Sequence, residues 1–182
     1  LAGTWAGGNR PEPAAEAPDF AALHGFVRFL GSLGSGSDRQ EMPTLVLDWL
    51  LNEANADGGL IVLADDEGHL RVVARTGAAR ADLPADIDTL SPRTRPLVDL
   101  CLRTDRAQTT QAAPDASRAE SGVRLCVPIQ VHDRTVGAVY LENRVNRRAF
   151  GARTAELVQA VANQMGLALD NDRLLRLEQA AL

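Results

Sequence analysis

The chain has 182 residues, enough for one domain with some residues left over for arms or linkers. A hydrophobic fraction of 45% and a charged fraction of 24% are ordinary for a globular fold, and aromatics at 4% leave the core to Leu, Val, Ala and Ile. The net charge of -5 gives no electrostatic reason to bind nucleic acid or anionic lipid, and no apolar run approaches the ~20 residues of a membrane span.

Residue 1 is Leu and no signal-peptide pattern follows it, so the chain reads as a piece of a longer protein. Two cysteines, Cys101 and Cys126, suggest reduced thiols in a cytoplasmic protein rather than a disulfide scaffold. Residues 1–17, rich in Gly, Ala and Pro, read as a disordered linker. Phe20, Leu23, Phe26, Val27 and Leu30 form the stripe of an amphipathic helix over 19–33, which the Gly-Ser repeat at 34–37 ends. A second helix is expected over 39–55, with Pro43 in its first turn, where a missing N–H costs little. Residues 60–64 and 70–75 read as a hairpin around the turn Asp65-Asp66-Glu67-Gly68. After a polar loop over 77–90, Ser91 as N-cap and Pro92 at the first helical position start a helix filled by Leu97, Val98, Leu100, Cys101 and Leu102. A short strand is expected near 107–110, and a mobile loop over 111–121.

The strongest β signal lies in residues 123–131 and 135–143, joined by the tight turn His132-Asp133-Arg134. Their apolar residues occupy both parities, which is the pattern of central strands covered on both faces. A last helix is expected over 152–178, roughly 40 Å long at the usual rise. Leu157, Val158, Val161, Met165, Ala168 and Leu169 follow helical spacing there, and Leu174, Leu175 and Leu177 continue past what a single domain needs to cover.

Several of these segments taken together resemble a known family. Val123-Arg124-Leu125-Cys126-Val127-Pro128-Ile129, a turn, Val136-Gly137-Ala138-Val139-Tyr140-Leu141-Glu142-Asn143, then Phe150, then Ala162-Asn163-Gln164-Met165-Gly166-Leu167 resemble the C-terminal half of GAF domains. Residues 50–63 stand where that family places its second helix and first strand, so the likeness covers about residues 20–177. It implies an α+β sandwich with a central antiparallel sheet of five to six strands. The N- and C-terminal helices would pack on one face, and a small-molecule pocket would lie on the other. Residues 18–178 would then be the sensory domain, and 174–182 the start of a coiled-coil linker to an output domain of a bacterial sensor kinase or transcription activator.

By analogy with bilin-binding relatives, the pocket side is expected to carry Arg124, Cys126, Ala138, Tyr140 and Glu142, together with Ser91 and the 77–90 and 111–121 loops. The alternative is a face packed shut, with Arg124 and Glu142 paired at its rim. The family's better-known ligands fit poorly. Cyclic-nucleotide binders carry Asn-Lys, then Phe, then Asp-Glu; here Arg144 replaces Lys, and Thr154 and Ala155 stand where Asp-Glu belong. Bilin binders follow the anchoring Cys with His, whereas Leu102 follows Cys101 and Val127 follows Cys126. Methionine-sulfoxide-reducing members rely on several cysteines, and core thiols are usually inert. His24, His69 and His132 show no metal-ligand spacing, so neither a metal nor haem is expected. No nucleophile and base set points to an enzyme.

Leu167, Leu174 and Ala181 recur at seven-residue spacing, which suggests a coiled-coil seam. With Phe26 and Leu30 of the first helix they are the candidate contacts of a homodimer. The reading from sequence is therefore a sensory domain that binds an unidentified small molecule or relays a conformational signal to an output domain. A ligand-free dimerisation or docking module is the alternative.

Overall fold

The computed structural model describes residues 20–32, 41–77, 87–110, 122–145 and 150–182. The expected linker over 1–17, the break at 34–37 and the loop residues 78–86 and 111–121 lie outside the described residues. In chain order the elements are α1 (Phe20–Ser32), α2 (Met42–Glu53), β1 (Gly58–Ala64), β2 (Leu70–Gly77), a 3-10 turn (Ile87–Thr89), α3 (Arg95–Thr104), β3 (Gln108–Thr110), β4 (Val123–Val131), β5 (Arg134–Asn143) and α4 (Ala152–Ala181). The strands form one antiparallel sheet in the order β2-β1-β5-β4-β3.

The β4–β5 hairpin is the centre of the sheet, and its turn is closed by the shortest means available. Val131 pairs directly with Arg134, so only His132 and Asp133 make the turn, at φ 48° and 61°. Two positive φ values in sequence match the right-handed twist of the flanking strands. Most residues of β4 and β5 are buried, as the double parity of their apolar residues demands. The core accordingly divides in two. On the outer face α1, α2 and α4 cover Ile61, Leu125, Val127, Ile129, Val139 and Leu141. On the inner face α3 and the 3-10 turn cover Leu60, Val62, Cys126, Ala138 and Tyr140.

Two boundaries differ from expectation for local reasons. Strand β1 begins at Gly58, because Gly58 and Gly59 pair with β2 and β5 instead of only ending the helix before them. Helix α3 begins at Arg95, with Pro96 in its first turn, and Pro92 falls in the preceding turn. Ser91 still acts as a cap for that turn, since its Oγ accepts the Thr94 N–H at 3.2 Å. Phe26 is fully buried against Trp49, with ring centroids 4.9 Å apart. It belongs to the core, which corrects its assignment as a dimer contact; Val27 is exposed and Leu30 keeps part of its surface.

Helix α4 is fastened to β4 by polar side chains. Strand β3 ends opposite Cys126, so β4 has an open edge beyond that point. Pro128 sits there, where its missing N–H takes nothing from the ladder. The Pro128 carbonyl accepts from Gln159 Nε2, and the Gln130 N–H donates to Asn163 Oδ1 at 2.9 Å. Gln159 also donates to Asn163 at 2.9 Å, so the two amides act as one unit. One turn further on, Gly166 lets the helix approach β4 closely: a Cβ there would lie 2.7 Å from Ile129 Cγ2 and 2.8 Å from Val131 Cγ2. Both hairpin tips then reach α4, with Arg173 2.8 Å from Asp66 and His132 3.5 Å from Asp170. Every residue from Arg173 to the end is exposed.

Replacing Asn163 with Leu is expected to strand the Gln130 N–H and lower unfolding stability by about 1–3 kcal/mol. Asn163→Asp, which keeps the acceptor, should lose less. Denaturant midpoints of the two variants check this; equal losses would mean that the hydrogen bond contributes nothing.

Candidate functional site

Strand register assembles the expected inner-face residues into rows. Pro128 stands opposite Ala138, Cys126 opposite Tyr140, and Arg124 opposite Glu142. Cross-strand partners project from the same face. Cys126, Ala138 and Tyr140 therefore share the inner core with Leu60, Val62, Leu97, Val98 and Cys101. Tyr140 and Cys126 are fully buried and Ala138 is 1% exposed, so α3 closes the apolar centre of this face. Arg124, Glu142 and Ser91 are half-buried at its margin.

A chain of hydroxyls links α3 to that margin. Ser91 Oγ lies 3.1 Å from Thr94 Oγ1, Thr94 is hydrogen-bonded to the Tyr140 hydroxyl, and Tyr140 donates to Glu142 Oε2 at 3.3 Å. A carboxylate at one end orders the protons, so that Tyr140 donates to Glu142, Thr94 to Tyr140 and Ser91 to Thr94. Burial raises the Tyr140 phenol above its ordinary range, and the Glu142 charge pushes it further in the same direction. Thr94, 4% exposed, was not among the residues singled out from sequence; the only local signal is a hydroxyl three residues after Ser91.

The rim pairing differs from the one expected for a closed face. Glu142 pairs with Arg144, whose Nε and a terminal nitrogen both lie 3.3 Å from Oε1, rather than with Arg124. Asn143 has a structural role at the same end of β5. Its amide donates to the carbonyl of Asn55, a residue at φ 50°, and its Oδ1 accepts the Val145 N–H at 2.9 Å. Asp57 Oδ2 accepts the Arg144 N–H at 2.9 Å, so the turn after α2 and the end of β5 are locked together.

The two cysteines meet on the inner face. Both are free and fully buried, and their thiols are hydrogen-bonded to each other. Burial holds Cys126 well above the ordinary thiol range, and the neighbouring Cys101 adds to the shift. Sequence separation gave no hint of this contact between α3 and β4. Among the described residues no three His, Cys, Asp or Glu side chains converge as a metal site, and no helix is long and apolar enough to cross a membrane. His24, His69 and His132 are all exposed.

Tyr140 is the single tyrosine, so its titration can be read directly. Its folded pKa lies above the unfolded value. The folded state is therefore at full strength below about pH 10 and weakens above it, as the unfolded chain ionises first. Phenolate absorbance should appear together with the loss of far-ultraviolet circular dichroism; a separate phenolate step in the folded protein would contradict the buried site.

The model of the GAF domain family matches residues 36–170. No curated protein matches the sequence. Among solved structures, the GAF domain assigned to a sensor histidine kinase of Pseudomonas syringae pv. tomato is 20% identical with a TM-score of 0.62, over 90% of this chain and 92% of that one. The GAF domain of a phosphoenolpyruvate-protein phosphotransferase from Coxiella burnetii is 14% identical with a TM-score of 0.63, over 90% and 96%. A GAF domain/HD domain protein from Geobacter sulfurreducens is 18% identical with a TM-score of 0.59, over 80% and 98%. The two-faced antiparallel sheet and the match over residues 36–170 agree, and the chain belongs to the GAF domain family.

Proposed function

We propose that this is a regulatory sensory domain of a bacterial signal-transduction protein, whose output is the direction and pairing of helix α4. The observation that carries the reading is the end of that helix. Leu174, Leu175 and Leu177 are each about half exposed, although the apolar residues that α4 gives to the domain core end at Leu169. Three leucines on exposed helix are an expensive surface unless a partner covers them. Leu167, Leu174 and Ala181 supply a seven-residue seam, with Leu177 beside it, and Leu30 of α1 extends the same surface in our reading. A parallel homodimer through this seam would carry a change at the inner face into an output domain of the parent chain. The similar GAF domain of a sensor histidine kinase, the GAF domain/HD domain protein and a solved segment of a methyl-accepting chemotaxis protein support such a setting. A cytoplasmic location belongs to the same proposal, supported by two adjacent thiols that stand as a hydrogen-bonded pair instead of a disulfide.

The inner-face margin of Arg124, Glu142, Tyr140 and Ser91 is the proposed sensing site. The second reading, a ligand-free dimerisation or docking module, is favoured by the closed centre around Cys126, Ala138 and Tyr140. A metabolite that raises the melting temperature separates the two, since a ligand that binds only the folded state must stabilise it.

Sedimentation should show a dimer at micromolar concentration, and Leu174→Glu with Leu177→Glu should convert it to monomer with little change in unfolding stability. A wild-type domain that stays monomeric at the highest attainable concentration would sink the relay through α4.

A further inference from the structure

One row of the inner face is charged and hydroxylated, and its charges are not evenly matched. Register places Thr110, Arg124 and Glu142 side by side across β3, β4 and β5. Gly58 of β1 continues the row without a side chain. These three residues share the face of Tyr140 and Cys126, one row nearer the end of the sheet.

Glu142 is the cross-strand neighbour of Arg124, but both of its oxygens are occupied. Oε1 takes Arg144 and Oε2 takes the Tyr140 hydroxyl. Arg124 makes no hydrogen bond or ion pair with any described residue, and it is half-buried. A guanidinium in that position has given up part of its hydration without gaining a carboxylate. Beside it, the Thr110 hydroxyl is buried and has no partner. Two unmet groups on one row, a planar fork of N–H donors and a hydroxyl, form the donor set for a carboxylate. The fork takes both oxygens and the hydroxyl donates to one of them. Glu142 on the other flank keeps its negative charge, which disfavours a dianion there more than a monoanion.

We propose that Thr110 and Arg124 form an anion subsite and that the ligand of this domain is a small monocarboxylate, bound by its carboxylate at this row. The proposal rests on the reading of the inner-face margin as a sensing site, and names the ligand class for it.

The test uses sodium butyrate as the probe, at constant ionic strength against sodium chloride, with butyramide as the neutral isostere and inorganic phosphate as the dianion. Binding is followed by backbone amide shifts at Thr110 and Arg124 and by the melting temperature. Butyrate should shift these amides in the wild type. Arg124→Gln should weaken its apparent affinity at least tenfold and Thr110→Val severalfold, while Glu142→Gln, which removes the competing charge, should tighten it. Arg124→Lys, which keeps the charge but loses the fork, should fall between wild type and Arg124→Gln. That second variant keeps the test valid should Arg124→Gln fail to fold. Unchanged butyrate affinity in both Arg124 variants overturns the subsite, as does the absence of any shift in the wild type. Phosphate binding more tightly than butyrate overturns the monocarboxylate assignment. Butyramide binding without butyrate binding also overturns the anion subsite, but leaves the sensing site standing. Sedimentation of the same samples judges the α4 relay separately.

Discussion

The position of α4 on β4 is the constraint on which the rest depends. Strand β3 is only three residues long, and where it stops β4 would present a carbonyl and an N–H to nothing. The carbonyl of one residue and the N–H two residues on point to the same side of a strand, so Pro128 and Gln130 need partners along one line. Gln159 and Asn163, one helical turn apart, supply them. Two amide side chains thus stand in for a missing strand, and they fix both the height and the rotation of the helix. Gly166 then sets the depth of contact. Once those three positions are set, the side on which Leu174 and Leu177 emerge is also set.

The sheet separates two jobs. Its outer face carries the larger apolar core and holds the helices that begin and end the domain. Its inner face carries a smaller core under α3 and, beyond it, a polar margin. The hydroxyl chain from Ser91 to Glu142 joins the two parts of that inner face and ends at the start of α3. Both faces draw on β4 and β5, whose alternate residues belong to the two cores.

Much of the fold was legible because its signals are local. The double-parity strands 123–131 and 135–143, the two-residue turn between them and the long final helix all follow from neighbouring residues. What was not legible depends on contacts across long stretches of chain. Glu142 takes Arg144 as its partner in preference to Arg124, which register alone makes the obvious choice. Cys101 and Cys126 touch only because α3 packs on β4, and Asn163 reads as one more polar residue on an amphipathic helix until the open edge of β4 is seen. Phe26 shows the opposite limit: an apolar stripe states that a face is covered, but not whether by the same chain or by another.

The grip of the two hairpin tips on α4 has a mechanical consequence. Asn163 and Gly166 form a part-buried fulcrum of hydrogen bonding and close packing, while the ion pair Arg173–Asp66 lies on the surface and acts as a softer stay. The exposed arm beyond Arg173 is about 12 Å long, so a tilt of ~10° at the stay moves its far end by ~2 Å. Mobile ions screen the stay and leave the fulcrum untouched. In the proposed relay, the compliance of this lever should therefore rise with ionic strength while its pivot stays in place.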